Sequence, residues 1–192
     1  GKKDPVLAGT VLENMLNAHV ETYHLLKSIP GSEKVKIGLV KNIFQFDPLR
    51  RWHLLDWAFS KILNDVYTNA PIEFLKTGKS SFYMPGMVDN EMLNPEAPGT
   101  LDFIGLNYYS RMHVKGRLNP QEPFVFDTRQ QDIMTDMGYP LYAEGFYRAL
   151  KTISEVGVPI YVTENGLADD KDTIRPLFID CLLYTSDAAD DL

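Results

Sequence analysis

Apolar positions along this chain recur with two periods. Between residues 6 and 28, Leu12, Met15, Leu16, His19, Tyr23 and Leu26 fall three or four apart, which predicts a helix. Ile29-Pro30-Gly31 ends it, because proline cannot continue the ladder and glycine accepts the terminating turn. Val35 to Val40 is short, apolar and rich in β-branched residues, which predicts a strand followed by a connection over 44–48. The stripe Trp52, Leu55, Phe59, Ile62, Leu63 and Val66 predicts a second helix over 50–69, with both tryptophans packed inside or between helices. Residues 77–100 are punctuated by Pro85, Pro95, Pro98 and several glycines and read as loop. Leu101 to Leu106 predicts a second strand that runs into Asn107-Tyr108-Tyr109, and a polar loop follows over about 111–138. Phe146, Ala149, Leu150 and Ile153 mark a third helix over 142–157, and Val158 to Val162 a third strand. Asp172 or Thr173 then caps a last helix that carries Pro176 in its first turn.

Helices alternating with strands imply an α/β fold with parallel pairing through right-handed crossovers. Three strands do not decide between an open and a closed sheet. Either way, chemistry belongs at the carboxyl ends of the strands. Those ends carry Asn42, then Asn107-Tyr108-Tyr109, then Thr163-Glu164-Asn165-Gly166. A carboxylate, amides and phenols thus converge on one rim. The plain alternative for Glu164 is a helix cap or an ion pair with Arg175. Tyr108 is expected to pack rather than react, since neighbouring strand residues face opposite sides.

Composition narrows the partners. The 192 residues are 44% hydrophobic and 23% charged, with a net charge of −7, which suits a globular chain and not a nucleic-acid surface. No apolar run is long enough for a membrane helix. Gly1 is not a start methionine and no leader or membrane segment is in view, so the location is not legible, with a cytoplasmic one favoured over a secreted one whose leader is missing. The single Cys181 excludes an internal disulfide, and His19, His24, His53 and His113 lack metal-ligand spacing, so no metal and no cofactor are expected. His19, on an apolar helix face, reads as a packing histidine. Asp47 precedes Pro48 and reads as turn chemistry, Lys2-Lys3 as a solvated pair. Oligomeric state is not legible.

Asp102-Phe103-Ile104-Gly105-Leu106-Asn107-Tyr108-Tyr109 and Pro159-Ile160-Tyr161-Val162-Thr163-Glu164-Asn165-Gly166 resemble two signatures of glycoside hydrolase family 1, the β-glucosidase family. Thr135-Asp136-Met137-Gly138, Tyr147 to Leu150, Asp172-Thr173-Ile174-Arg175 and the opening helix with Asn17-Ala18-His19 are similar to that family as well, so the likeness covers about residues 6–180. It implies a partial (β/α)₈ TIM barrel, about strands five to seven with flanking helices, from a retaining β-glycosidase acting on a small β-glycoside. It implies Glu164 as the nucleophile, Tyr109 as the residue that hydrogen-bonds it, and Asn107 as a substrate-binding amide. Tyr139 stands where the family often carries tryptophan and is expected to line an aglycone-side subsite.

Retention needs a second carboxyl group to protonate the leaving oxygen. The family carries it in an Asn-Glu-Pro triplet, and this sequence has none. The chain alone is therefore expected to be inactive and its full-length parent to be the enzyme. A catalytically inactive sugar-binding member of the same barrel family is the alternative. An aldolase-like barrel would want a strand-end lysine, for which Lys41 is unaccompanied. Residues 181–192 depart from the family pattern and resemble the in-frame translation of a sequencing-library adapter. On that reading residues 1–180 are the piece of a single catalytic domain and 181–192 a non-native tail.

Overall fold

The computed structural model describes residues 4–190. In chain order its elements are α1 (Pro5–Lys27), β1 (Gly38–Pro48), α2 (Leu54–Asn64), a π-helical turn (Asp65–Asn69), α3 (Ala70–Thr77), β2 (Lys79–Met84), β3 (Val88–Leu93), β4 (Phe103–Gly116), β5 (Phe124–Asp127), α4 (Glu144–Ser154), β6 (Ile160–Asn165) and α5 (Arg175–Asp190). The Lys2-Lys3 pair and the last two residues of the expected tail lie outside the described residues.

The chain packs as two compact units. The first takes the segments up to Lys41, Asp65–Gly105 and Ile153–Tyr161; the second takes Asn42–Asn64, Leu106–Thr152 and the chain from Val162 onward. In the first, Asp4 caps α1 by accepting the Leu7 amide at 3.0 Å, and Pro5 begins the helix where its missing N–H costs nothing. The buried face of α1 is Leu16 and Val20, and the core is completed by Phe74, Phe82, Met92, Ile104 and others. His19 is a satisfied packing residue, its Nε2 2.9 Å from the Thr100 carbonyl.

Two sequence expectations are corrected here. The segment 77–100 contains the antiparallel hairpin β2–β3, paired from Lys79↔Leu93 to Met84↔Val88. Its proline and glycine occupy the turn at Pro85-Gly86, while Phe82, Met84, Val88 and Met92 alternate into the core. The second helix starts at Leu54 and reaches Thr77, because Pro71 removes one amide and the ladder resets through the π turn before it. Gly78 then closes α3 at φ 75°, its amide donating to the Phe74 carbonyl at 2.8 Å.

β4 pairs with β1, with β6 and with β5. The Asp102 amide donates to the Ile37 carbonyl at the strand starts (2.8 Å), and the Leu49 amide to the Val114 carbonyl at the far ends (2.9 Å), so β1 and β4 run parallel. At the start of β6 the Ile104 amide donates to Pro159 at 2.9 Å. β5 is antiparallel to the end of β4, from His113↔Asp127 to Gly116↔Phe124. β1 begins later than 35 and absorbs the expected connection over 44–48. β4 continues seven residues beyond Tyr109, and with β5 it replaces part of the expected polar loop. In both places polar residues inside strands hide the alternation. Gln45 is buried and donates to the Gly145 carbonyl at 3.3 Å, and His113 is buried with Nε2 3.0 Å from the Asp132 carboxylate.

The tryptophans are not core. Trp52 precedes α2 and is 90% exposed; Trp57 is exposed and donates to the Arg51 carbonyl at 2.7 Å. Asp169, rather than Asp172 or Thr173, caps the last helix: its Oδ2 accepts the amides of Ile174 (2.7 Å) and Arg175 (3.2 Å).

Candidate active site

The site lies in the second unit, where the end of β6 meets the middle of β4, which runs on to Gly116 instead of ending at Tyr109 as expected, and five polar side chains come together. Tyr108 points the other way from its neighbours. It is fully buried, its ring 5.6 Å from Phe146, and its hydroxyl donates to the Tyr142 carbonyl. A side chain at Gly145 would collide with that hydroxyl, so the start of α4 needs a glycine there. This is the packing role expected of Tyr108, and it leaves Tyr109 on the other side of β4.

Tyr109 Oη donates to Glu164 Oε2 at 2.7 Å, within the range expected for a phenol and a carboxylate. The bond to Glu164 raises the phenol's pKa above its ordinary value, because losing the proton would set two anions together. Beside this pair Thr163 Oγ1 donates to Asn107 Oδ1 at 2.6 Å, so the Asn107 amide nitrogen remains a donor. The Asn165 side-chain amide donates to the Tyr108 carbonyl at 2.8 Å. Arg175 does not take up Glu164. Its donors go to Asp172 (2.6 Å), the Leu167 carbonyl (2.7 Å) and the Asp169 carbonyl (3.3 Å), which braces the loop after β6.

A cavity of about 620 Å³ opens beside Tyr109. Its walls include Asn42, Phe44, Met137, Tyr139 and Asn165; Glu164 and Asn107 are not among its lining residues. Tyr139 packs on Phe44 with ring centroids 5.7 Å apart. Phe44 and Met137 are site residues that sequence reasoning passed over. Phe44 lies two residues after Asn42 on β1, so strand alternation from Asn42 is the signal that finds it.

Asp47 serves structure. Arg148 Nη1 holds both its oxygens at 2.9 and 3.1 Å, and Arg111 lies 3.7 Å away. Arg111 also reaches Asp132 at 3.3 Å, and Asp132 sits against the buried His113. Burial lowers the His113 pKa, and the Arg111 and Arg129 charges add to this, which keeps the imidazole neutral. Among the described residues no three His, Cys, Asp or Glu side chains gather to hold a metal ion, and no helix is long and apolar enough to cross a membrane.

The chain is similar to known glycosidases. A β-galactosidase of Pyrococcus woesei is 28% identical over 93% of this chain, and β-glucosidase A of Thermotoga maritima is 30% identical over 88% of it. The chain spans 39% of the length of each. The solved β-glycosidase of Pyrococcus horikoshii superposes with a TM-score of 0.80 at 30% identity, over 98% of this chain and 42% of its own. Such structures are (β/α)₈ barrels, and this chain matches a part of one. The sequence profile of glycosyl hydrolase family 1 matches residues 1–182. With nearly the whole chain matched, the conclusion is that the chain belongs to glycosyl hydrolase family 1.

Proposed function

We propose that this chain is the nucleophile-bearing part of a longer retaining β-glycosidase. The observation that carries this reading is the 2.7 Å hydrogen bond between Tyr109, midway along β4, and Glu164, at the end of the adjacent strand β6. Glu164 attacks the anomeric carbon and forms a glycosyl–enzyme ester while the leaving oxygen takes a proton from a second carboxyl group. Water then cleaves the ester from the same face with that second group as base, so configuration is retained. The second carboxyl group belongs to sequence outside this chain, about 5–5.5 Å from Glu164 in the assembled site.

Tyr109 holds the attacking carboxylate and supports its charged form until the ester forms. Asn107 presents its amide nitrogen to a sugar hydroxyl without adding charge near an oxocarbenium-like transition state. Tyr139 and Phe44 supply an apolar wall for the aglycone. The relatives are named for both galactosides and glucosides, so the substrate class is a β-glycoside with no narrower choice. On the same reading residues 1–180 are part of one catalytic domain and 181–192 a non-native tail. A genomic locus encoding those twelve residues in frame would overturn the second point.

The test is made on the complete gene product that contains this chain. It is expected to hydrolyse an aryl β-glucoside or β-galactoside with the first-formed sugar in the β configuration by NMR. Glu164→Ala is expected to lower turnover by about 10⁴-fold or more. Azide is expected to restore part of it and to give the α-glycosyl azide, because it enters from the face that Glu164 vacated. An active Glu164→Ala enzyme would overturn the assignment.

A further inference from the structure

Regular strand geometry does not by itself deliver Glu164 to Tyr109. Along β6, Thr163 and Glu164 should face opposite sides of the sheet, and along β4, Asn107 and Tyr109 should face the same side. Yet Thr163 bonds Asn107 and Glu164 bonds Tyr109. Glu164 is therefore turned out of simple alternation at the last residues of the strand. Such a departure persists only where the surroundings hold it. The strand stops there: β6 ends at Asn165, and Gly166 at φ 150° turns the chain away in a conformation that glycine alone adopts readily.

The group that bridges this end is the Asn165 side chain. Its amide donates to the carbonyl of Tyr108 at 2.8 Å. That carbonyl belongs to the peptide plane whose nitrogen is Tyr109, and Asn165 is joined directly to Glu164. One side-chain hydrogen bond thus ties the backbone next to the phenol to the backbone next to the carboxylate. Thr163–Asn107, at 2.6 Å, closes the other side of the pair. Three consecutive residues of β6 grip three consecutive residues of β4, and the middle grip is the tyrosine–carboxylate bond. All three β6 side chains are exposed, so they add little apolar burial to stability.

We infer that Asn165 is a positioning residue that holds Glu164 and Tyr109 in register through the Tyr108 carbonyl, with Thr163 as its counterpart on the far side. The inference rests on the reading of Glu164 as the nucleophile. It separates the two residues of the Glu164-Asn165 pair by role: one reacts, the other aims it. A misplacement of about 1 Å at a reacting group costs on the order of 10²-fold in rate.

The experiment uses the complete gene product with Asn165→Ala, Asn165→Gln and Asn165→Asp. Asn165→Ala is expected to lower kcat by about 10–10²-fold with KM changed less than threefold, since a displaced nucleophile weighs on the reacting step more than on ground-state binding. Asn165→Gln keeps an amide donor on a longer arm and is expected to recover part of the loss. If Asn165→Ala does not fold, Asn165→Asp carries the same test, because it keeps the shape and replaces the donor by an acceptor. The decisive readout is the Tyr109 phenol titration, followed by ¹³C-tyrosine NMR and assigned with Tyr109→Phe. It is raised in the parent and is expected to fall back toward its ordinary range in Asn165→Ala and Asn165→Asp. An unchanged titration overturns the inference, whether or not the rate falls, because the asparagine would then act elsewhere or on stability alone. Glu164→Ala remaining active would overturn the nucleophile reading instead, and leaves the titration as an independent measure of the Asn165 tie.

Discussion

The two compact units keep their charged side chains in different places. In the first unit the buried set is almost wholly apolar, from Leu16 and Val20 to Phe74 and Met92, and the ion pairs Lys76–Glu155 and Lys27–Asp102 involve partly exposed groups. In the second unit carboxylates go inside. Asp56 is 0% exposed and accepts Arg50 Nε (3.0 Å) and the amides of Arg50 (2.9 Å) and Gly116 (2.9 Å). Asp132, 4% exposed at its side chain, is held by Arg111, which also reaches the partly exposed Asp47. The unit that carries the candidate site thus adds buried, directional, charged contacts to an apolar core that includes Ile43, Leu106, Tyr108, Val114 and Phe146, whereas the other relies on apolar packing. Apolar contacts set density but not direction, whereas a buried carboxylate needs its donors at fixed distances. A site that aims side chains benefits from the second kind of brace.

Three substitutions would break or sharpen that contrast. The largest loss is expected for Phe74→Ala in the first unit. The ring is fully buried, and its removal costs about 3–5 kcal/mol, with little dependence on pH. Thermal or urea unfolding reads this, and a loss below about 1 kcal/mol would show that the apolar core is not what holds this unit.

Asp56→Asn is expected to cost about 3 kcal/mol, because it removes the charge opposite Arg50 and replaces one of the two acceptor oxygens by an NH₂ that faces donors, leaving either the Gly116 amide or the Arg50 amide and Nε unmatched. This loss depends on pH. Burial alone would push the Asp56 pKa up, but the Arg50 side chain, the Arg50 and Gly116 amides and the Arg50 charge outweigh it and hold it at about 2. The folded pKa therefore lies below the unfolded one. The contribution is complete above about pH 4 and is lost as pH falls toward 2, where parent and variant should converge. A difference that stays constant from pH 7 to pH 2 would show that Asp56 acts through shape and not charge.

Asp102→Asn in the first unit should have the smallest effect. Lys27 (2.7 Å) and the Ile37 amide (2.8 Å) lower the Asp102 pKa, so the sign is that of Asp56, with stability lost on acidification. Its side chain keeps 17% of its surface in water, so solvent screens the pair. A drop in melting temperature as large as that of Asp56→Asn would erase the distinction between the two units.

The opening helix, the three strands that reach Asn42, Tyr109 and Glu164, the place of Glu164 at the end of its strand, and the packing role of Tyr108 were readable from sequence alone, whereas Tyr109 lies midway along β4 and not at its end. Each rests on a local property: the 3.6-residue period of α1, the β-branched run before Asn42, and the two-residue alternation that separates Tyr108 from Tyr109. The hairpin β2–β3, the full lengths of β1 and β4, and the strand β5 were not readable. There Gln45, Asp47, Arg111 and His113 sit inside strands, and a polar residue in a strand looks like loop until its partner is known. Those partners, Gly145, Arg148 and Asp132, are far along the chain. The Tyr109–Glu164 bond was expected from the motifs, and the structure has it at 2.7 Å. What only the tertiary structure decided is the tie from Asn165 to the Tyr108 carbonyl. Spacing along one chain names which residues share a rim, but a hydrogen bond between two strands depends on their relative register, which the fold sets across 57 positions of sequence.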